Sequence, residues 1–207
     1  MKNKKVNIIA SYDGHPVIGD CKLFPYHEEY LNKNKKLLDS MLARHNKVMA
    51  VRMDLRYPAD YQGQTGNQNL SDAMRTYTRE LSREGLDPQY VVRREQKEPE
   101  HPHNHVDLLV NGSLKQRYKP LVKRMAPHWG RVIGVSPEVA EKLVFPCDKH
   151  PNGIMIRRNT PEFQEQYDDV HRQMSYLAKC EVDDVTPSNQ RKVFYSQYKR
   201  KNSRPKR

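Results

Sequence analysis

The sequence is poor in cysteine and has no long apolar stretch. Its three cysteines, Cys21, Cys147 and Cys180, are far apart and form no Cys-x-x-Cys pair. An odd and scattered set of this kind does not suit a disulfide framework or a zinc ribbon, and it favours a reducing compartment. No apolar run approaches the roughly 18 residues of a membrane span, and no secretory signal is recognisable. We therefore expect a cytoplasmic protein without membrane contact.

Acidic residues are absent from the end of the chain. Residues 191–207 contain eight Lys and Arg residues and no Asp or Glu, so two thirds of the net charge of +12 lies there. Basic tails either contact nucleic acid or remain solvated, and we favour nucleic acid as the partner. The candidate DNA-binding residues in this segment are Arg191, Lys192, Lys199, Arg200 and Lys201.

The chain length of 207 residues indicates one domain with appendages. We predict an N-terminal arm over residues 1–24, a folded domain over 25–185 and a basic tail over 186–207. Apolar periodicity predicts, in order, a helix at 26–45, a strand at 47–58, a helix at 71–83, strands at 89–96 and 102–111, a helix at 114–126, a loop with Trp129, a short helix from Pro137, a strand at 154–157 and a helix after Thr160. This order favours an α+β fold, an antiparallel sheet with helices packed on one face.

The predicted strand at 47–58 has two unlike faces, because side chains alternate along a strand. One face is apolar and suits a core; it consists of Met49, Val51, Met53, Leu55 and Tyr57. The other face carries Arg52, Asp54 and Arg56. Arg52 and Arg56 are therefore further candidates for contact with DNA.

Two histidines, His103 and His105, stand two positions apart in a predicted strand and share a face, followed on that face by Asp107. Two imidazoles with a nearby carboxylate and open positions suit a divalent ion that polarises a phosphate oxygen. A histidine pair in a strand is otherwise more often structural or exposed to solvent. The register of the preceding hairpin decides whether Glu95 or Gln96 faces His103, and both remain open from spacing alone.

Tyr176 lies at the edge of the last predicted helix. The buried stripe of that helix is formed by residues spaced four, three, four and three apart: Phe163, Tyr167, Val170, Met174 and Leu177. Tyr176 is about 100° away from the stripe by helix geometry, and Lys179 follows it on the same side. Tyr167 is inside the stripe and is interpreted as core. Most tyrosines at a helix edge are packing residues, so Tyr176 needs other support as a reactive group.

Four segments together resemble the HUH endonucleases, the superfamily of rolling-circle replication initiators. More narrowly, they resemble the inovirus-type YagK/YfjJ group of phage and prophage replication proteins. The segments follow the order of that family and span about 130 residues: Val51-Arg-Met-Asp-Leu-Arg-Tyr-Pro58, Val92-Arg-Arg-Glu-Gln96, Pro102-His-Asn-His-Val-Asp-Leu-Leu-Val110 and Tyr176-Leu-Ala-Lys179. The gap between Glu95 and His103 also resembles that of related phage initiators, which favours Glu95 over Gln96. Asn104 differs from the apolar or aromatic residue usual in the family, and a buried amide there must find partners or cost about 1–3 kcal/mol.

The resemblance implies a metal-dependent enzyme that nicks single-stranded DNA at an origin in a bacterial cytoplasm. His103, His105 and Glu95 would hold Mg²⁺ or Mn²⁺, and Tyr176 would attack the scissile phosphate to leave a 5′-phosphotyrosine. Lys179 or the metal would favour the phenolate of Tyr176. Because no Walker-type motif follows, a host helicase and a host polymerase would be partners.

Two other interpretations remain from the sequence. The first is a non-catalytic DNA-binding regulator with the same fold, and the second is a metal-binding protein without a role on DNA. Tyr195 and Tyr198 are rival tyrosines in the basic tail, although a mobile tail would position a nucleophile poorly.

Overall fold

The computed structural model describes residues 6–8, 11–18, 25–97, 101–147, 151–180 and 184–197. The elements in chain order are β1 (Val6–Ile8), β2 (Ser11–Tyr12), β3 (His15–Pro16), β4 (Pro25–His27), α1 (Glu28–Arg44), β5 (Lys47–Leu55), α2 (Asn67–Arg83), β6 (Gln89–Glu95), β7 (His103–Asn111), α3 (Lys119–Ile133), α4 (Pro137–Leu143), β8 (Val144–Pro146), β9 (Ile154–Arg157), α5 (Phe163–Ser175), a 3-10 turn (Tyr176–Ala178) and β10 (Val193–Tyr195). Within the described ranges, no helix combines the length and the apolar character that crossing a membrane requires.

An antiparallel sheet of six strands forms the centre of the fold, which is α+β as predicted. The strands are arranged in the order β10-β6-β7-β5-β8, and β9 pairs with the other half of β5. The long β5 and β7 pair over eight positions, from Val48 opposite Asn111 to Leu55 opposite Asn104. Two small ladders, β1 with β4 and β2 with β3, lie outside this sheet.

Helices cover both faces of the sheet, which corrects the prediction of helices on one face. On one face, Met53, Val106 and their neighbours pack against α2 and α3. On the opposite face, Ala50, Val91 and Leu109 pack against α1 and α5. The prediction was wrong because the second face of β5 is polar only toward one end, and its other end supplies a second apolar patch that needs a cover.

Trp129 lies inside α3, which corrects the prediction of a loop there. A proline at position 127 disfavours continuation of the helix, since proline removes a helical hydrogen bond. The helix nevertheless continues through Pro127 to Ile133. Trp129 is fully buried, and its Nε1 donates a hydrogen bond to the backbone oxygen of Arg56 at 2.7 Å. Burial of a large aromatic side chain therefore outweighs the local cost of the proline.

The start of the predicted tail belongs to the sheet. β10 pairs with β6, with Val193 opposite Arg93 and Tyr195 opposite Val91. Val193 and Phe194 are each 7% exposed, on opposite faces of the sheet. The predicted boundary between domain and tail at residue 186 therefore places β10 in the tail, although β10 is an edge strand of the domain's sheet.

Part of the predicted N-terminal arm also packs on the domain. His15 Nδ1 lies 2.7 Å from Asp168 Oδ1 of α5. The backbone N–H of Ile18 donates to Ser175 Oγ at 2.8 Å, directly before Tyr176. The described residues 11–18 thus hold the end of α5 from outside the sheet.

Candidate functional site

Charged side chains replace apolar ones at one end of the sheet face that α1 and α5 cover. Register sets them in rows across β6, β7 and β5: Glu95 is opposite His103, and Arg93 is opposite His105, which is opposite Asp54. Opposed residues of antiparallel strands project to the same side. The predicted histidine pair therefore lies within a cluster of ionisable groups.

His105 contacts a carboxylate through each of its ring nitrogens. Its Nδ1 lies 2.7 Å from Asp54 Oδ1, and its Nε2 lies 3.4 Å from Glu95 Oε2. Burial alone would lower the pKa of His105, but hydrogen bonds to the two carboxylates outweigh it and raise the pKa above its ordinary value. His105 therefore favours the protonated state when only protein groups surround it.

The pKa values of the two carboxyl groups, Asp54 and Glu95, shift in the opposite direction to that of His105. Burial would raise the pKa of Asp54 and of Glu95, yet the hydrogen bond from His105 and the nearby positive charges hold both pKa values below their ordinary range. Asp54 and Glu95 are 9% and 8% exposed. The geometry therefore contains two ionised, largely buried carboxylates on either side of one imidazole.

The hairpin register places Glu95, and not Gln96, opposite His103. Gln96 follows the end of β6, and its side-chain oxygen accepts from Arg94 Nη2 at 3.3 Å. Asn104 projects to the other face of the sheet, where it lies opposite Arg94 and Leu55 and is 2% exposed.

The site contains side chains of the types that bind metal ions, but they are not arranged as a complete metal site. In the described part of the chain, no group of three His, Cys, Asp or Glu side chains is already spaced to hold a metal ion. The donor types are nevertheless suitable, because two imidazoles and a carboxylate stand in adjacent positions. Glu95 Oε1 is buried, accepts no hydrogen bond and lies 3.8 Å from Arg93 Nε, so a metal ion bound there would displace no hydrogen bond of this oxygen.

Tyr176 begins the 3-10 turn after α5 and lies against the histidine row. Its ring meets the His105 ring edge-on, with 5.5 Å between centroids and an interplanar angle of 84°. The Arg52 guanidinium carbon lies 4.2 Å from the centroid of the Tyr176 ring, and Lys179 Nζ lies 5.7 Å from it. The sequence motif around Tyr176 is thus brought to the histidine motif by the packing of α5.

Arg52 does not lie where a DNA-binding residue is expected. It is 6% exposed and stacks under Tyr176, and its Nη1 donates to the backbone oxygen of Gln173 at 3.5 Å. Gln173 Nε2 also donates to Oδ1 of the fully buried Asp107 at 2.7 Å. Burial raises the pKa of Asp107. This polar layer below Tyr176 takes up the Arg52 side chain, and a contact of Arg52 with DNA stays a prediction.

Arg93 links the histidine row to the segment before β10. It is 2% exposed, with its Nε 3.8 Å from Glu95 Oε1 and its Nη2 3.7 Å from Asp184 Oδ2. Asp184 is in turn 3.0 Å from Lys192 Nζ. Removing one member of such a buried chain leaves a charge uncompensated, which typically costs about 3–5 kcal/mol.

The other predicted site residues are distributed more widely. Arg56 is exposed and lies over the ring of Phe145, and Arg191 is exposed beside Phe194. Lys192 is 38% exposed and paired with Asp184. Lys199, Arg200, Lys201 and the rival Tyr198 lie outside the described residues.

Tyr167 and Tyr195, which the sequence analysis compared with Tyr176, are both held by packing. Tyr167 is 5% exposed and donates to Asp39 Oδ1 at 2.7 Å, so its interpretation as core is confirmed. Tyr195 is part of β10, and its hydroxyl donates to the backbone oxygen of Tyr30 at 3.5 Å. Tyr195 is therefore fixed in the sheet and not carried on a mobile tail.

Sequence reasoning left three site residues without a role: Asp54, Arg93 and Gln173. Asp54 and Arg93 gave no distinct signal, because charged residues that share a strand with apolar ones are usual where one face of an antiparallel sheet is solvated. Gln173 gave no signal either, since it lies on a helix next to the buried stripe and resembles an ordinary surface position.

Comparisons with known proteins give one match to a family and one to a solved structure. No curated protein matches the chain. The solved structure is the N-terminal nuclease domain of non-structural protein 1 from minute virus of mice, described as coordinating Zn²⁺ in its active-site pocket and recognising DNA at the origin of replication. It aligns with 87% of this chain and 77% of its own, at 12% identity and a TM-score of 0.32. The model of the YagK/YfjJ C-terminal domain matches residues 24–194, so the chain belongs to that family.

Proposed function

We propose that the protein is a divalent-metal-dependent enzyme that nicks and rejoins single-stranded DNA to start rolling-circle replication of a phage, prophage or satellite element. The observation that carries the proposal is the edge-on contact of Tyr176 with His105, in the row beside Glu95 and His103. Membership of the YagK/YfjJ family supports it, because the matched range contains Glu95, His103, His105 and Tyr176.

His103, His105 and Glu95 are the residues that would hold Mg²⁺ or Mn²⁺. Asp54 Oδ1 accepts a hydrogen bond from His105 Nδ1. This contact orients the ring and directs Nε2 toward Glu95. Glu95 contributes the buried oxygen that has no hydrogen-bond partner. When bound, the ion would polarise a phosphate oxygen and offset the charge that develops on it.

Tyr176 would be the nucleophile. Its hydroxyl oxygen forms a bond to the scissile phosphorus, the bond from phosphorus to the 3′ oxygen breaks, and the DNA is left with a free 3′-OH. The phenol proton leaves Tyr176 and a proton is taken up by the departing 3′ oxygen, so the step balances. A free phenol has a pKa near 10, so positive charge near its ring favours the reactive phenolate. Arg52 and Lys179 both place such charge near the ring.

The test is a trapped covalent adduct. Wild-type protein incubated with labelled single-stranded origin DNA and Mn²⁺ should form a protein–DNA adduct, and Tyr176→Phe should abolish it while DNA binding persists. Phenylalanine keeps the ring that packs on His105 and Arg52, so the fold should change little. Tyr167→Phe and Tyr195→Phe are controls that should both still form the adduct, and peptide mapping should locate it on Tyr176.

Two outcomes would count against the assignment. An adduct mapped to another tyrosine refutes the role of Tyr176. Sequence-specific binding of DNA without an adduct under any divalent ion would instead support a non-catalytic regulator with the same fold.

A further inference from the structure

A groove of about 510 Å³ lies between the first turns of α1 and the edge strand β10. Tyr30 and Lys33 line it from α1, and Arg191, Lys192 and Tyr195 line it from the other side. None of the described residues that line the groove is acidic. A concave surface with cations and a tyrosine on each wall suits a polyanion that also has flat aromatic groups.

The cations of this groove remain accessible to a ligand. Lys33 pairs with Glu29 at 2.6 Å, but both side chains are about half exposed, and such surface pairs contribute little. Arg191 is exposed, with its guanidinium carbon 5.5 Å from the centroid of Phe194. Lys33 and Arg191 therefore offer charge from opposite walls, and neither is held by a strong buried pair.

Contacts hold both tyrosine rings in place, that of Tyr30 edge-on to the His27 ring with 5.1 Å between centroids, which lowers the entropy cost of binding against them. The Tyr195 hydroxyl donates to the backbone oxygen of Tyr30 at 3.5 Å, and Lys33 Nζ lies 5.6 Å from the centroid of the Tyr195 ring. Proteins that bind single strands combine cations that follow the backbone with aromatic rings that contact bases. Duplex DNA is instead read by elements that protrude into its grooves, and this surface is concave.

The groove lies two strands away from the histidine row of the candidate site. Val193 of its lining lies opposite Arg93, and Arg93 lies opposite His105. Adjacent strands are about 4.8 Å apart, so two strand spacings, or roughly 10 Å, separate the groove from the histidine row. Asp184 joins the two by contacting both Lys192 and Arg93.

We infer that this groove binds the single-stranded DNA that leads into the site at His105 and Tyr176. The inference rests on the proposed function and locates a part of its substrate. Lys33 and Arg191 each hold a backbone phosphate, and the tyrosines support the adjoining nucleotides. Lys192 anchors the wall through Asp184.

The experiment measures binding in the Tyr176→Phe background, so that cleavage plays no part. Fluorescence anisotropy with a labelled oligo-dT, and with the same strand in a dT·dA duplex, is recorded over a series of salt concentrations. Because two phosphates are no longer held, Lys33→Ala/Arg191→Ala should lower the slope of log K against log salt by about 1.4 for the single strand. The matched control Lys36→Ala/Arg131→Ala removes one exposed lysine and one exposed arginine outside the groove and should leave the slope near its original value.

An equal change of slope in the control, or no change in the groove variant, overturns the inference. A loss confined to the duplex, or equally effective competition by poly-glutamate, overturns the choice of single-stranded DNA as the ligand. Thermal melting checks the fold, and Lys33→Gln/Arg191→Gln replaces the alanine variant if that one melts early. If the native protein forms the Tyr176 adduct while the groove variants bind normally, the groove alone is refuted and the proposed function remains.

Discussion

Neighbouring rows of the same three strands have opposite chemistry. Val92, Val106 and Met53 are aligned across β6, β7 and β5, all fully buried under α2 and α3. One residue further along, Arg93, His105 and Asp54 are aligned on the opposite face. A step of one residue in a strand changes the face, so the two rows differ in surroundings although they share a backbone.

Of the two neighbouring rows, only that of Arg93, His105 and Asp54 buries charged side chains, and this burial costs free energy of folding. A buried charge is expensive unless it is paired, and replacing a buried ion pair by apolar residues is often neutral or stabilising. The α2/α3 face shows that this sheet can be filled with Val and Met. The charges on the other face, in the row that contacts Tyr176, therefore support the proposed function.

The largest expected effect separates the two faces directly. His103→Ala and His105→Ala should each abolish metal-dependent cleavage, because each removes a proposed ligand, while the fold is retained. Leu108→Ala on the α2/α3 face is the contrasting variant, and it should lower the free energy of unfolding by about 2–5 kcal/mol through reduced burial and a cavity. Cleavage assays well below the melting temperature and denaturant unfolding would measure both. Full activity of either histidine variant, with normal metal affinity, would refute the ligand assignment.

A second expected effect is a loss of metal affinity, and it should distinguish Glu95 from its neighbour Gln96 at the end of β6. Glu95→Ala should weaken Mn²⁺ binding more than about 100-fold, because loss even of a residue that only supports a ligand costs 10–100-fold. Gln96→Ala is the matched neighbour, and it should leave Mn²⁺ affinity unchanged because Gln96 does not share the face of His103. Isothermal titration of the apo-proteins measures this, and equal losses would remove Glu95 from the site.

The charged row should also give stability a characteristic pH dependence. The pKa of Asp54 is lowered in the fold, so its contribution is present above its unfolded value near 4 and is lost as the pH falls through the folded value. The pKa of His105 is raised, so its contribution is present below about 6.5 and is lost as the pH rises through the folded value. The pair therefore stabilises most between about pH 4 and 6.5.

Unfolding in EDTA at a series of pH values measures this effect. The Asp54→Asn substitution should lower the free energy of unfolding by about 1.5–3 kcal/mol between about pH 4 and 6.5, and by less at lower or higher pH. Asp60→Asn, which changes an exposed carboxylate, should show no such window. A loss from Asp54→Asn that stays constant with pH would argue against a charged pair.

The smallest expected effect concerns the basic segment beyond both faces. Truncation after Gln197 removes six Lys and Arg residues and should weaken DNA binding uniformly across sequences. The salt slope for single strands should fall by about 0.7 for each phosphate that the tail no longer neutralises. Truncation after Asn189 should also lower stability, because it removes β10 and the buried Val193 and Phe194. Equal melting temperatures for the two truncations would show that β10 contributes nothing to the fold.

Much of the local structure follows from short-range pattern. The strand at 154–157 was predicted with the bounds that it has as β9, and the predicted strands at 89–96 and 102–111 differ from β6 and β7 by one residue at a single end. Alternation along a strand was enough to separate Arg52 and Asp54 from the apolar face of β5. Where a local signal conflicted with packing, as at Pro127 before Trp129, the prediction was wrong, because the gain from burial lies in distant contacts.

The order of residues alone assigns each side chain to one face of its strand or helix, since the periods of 2 and 3.6 are properties of the local backbone. It therefore indicated that His103 and His105 share a face and that Tyr176 lies off the buried stripe. The neighbours of these residues depend on which strands pair and in which register. Pairing β7 between β5 and β6 brings Asp54, Glu95 and Arg93 to His105, and docking of α5 brings Tyr176 over Arg52. These contacts join segments far apart in the chain, and burial of two apolar patches at once selects them, which no local period encodes.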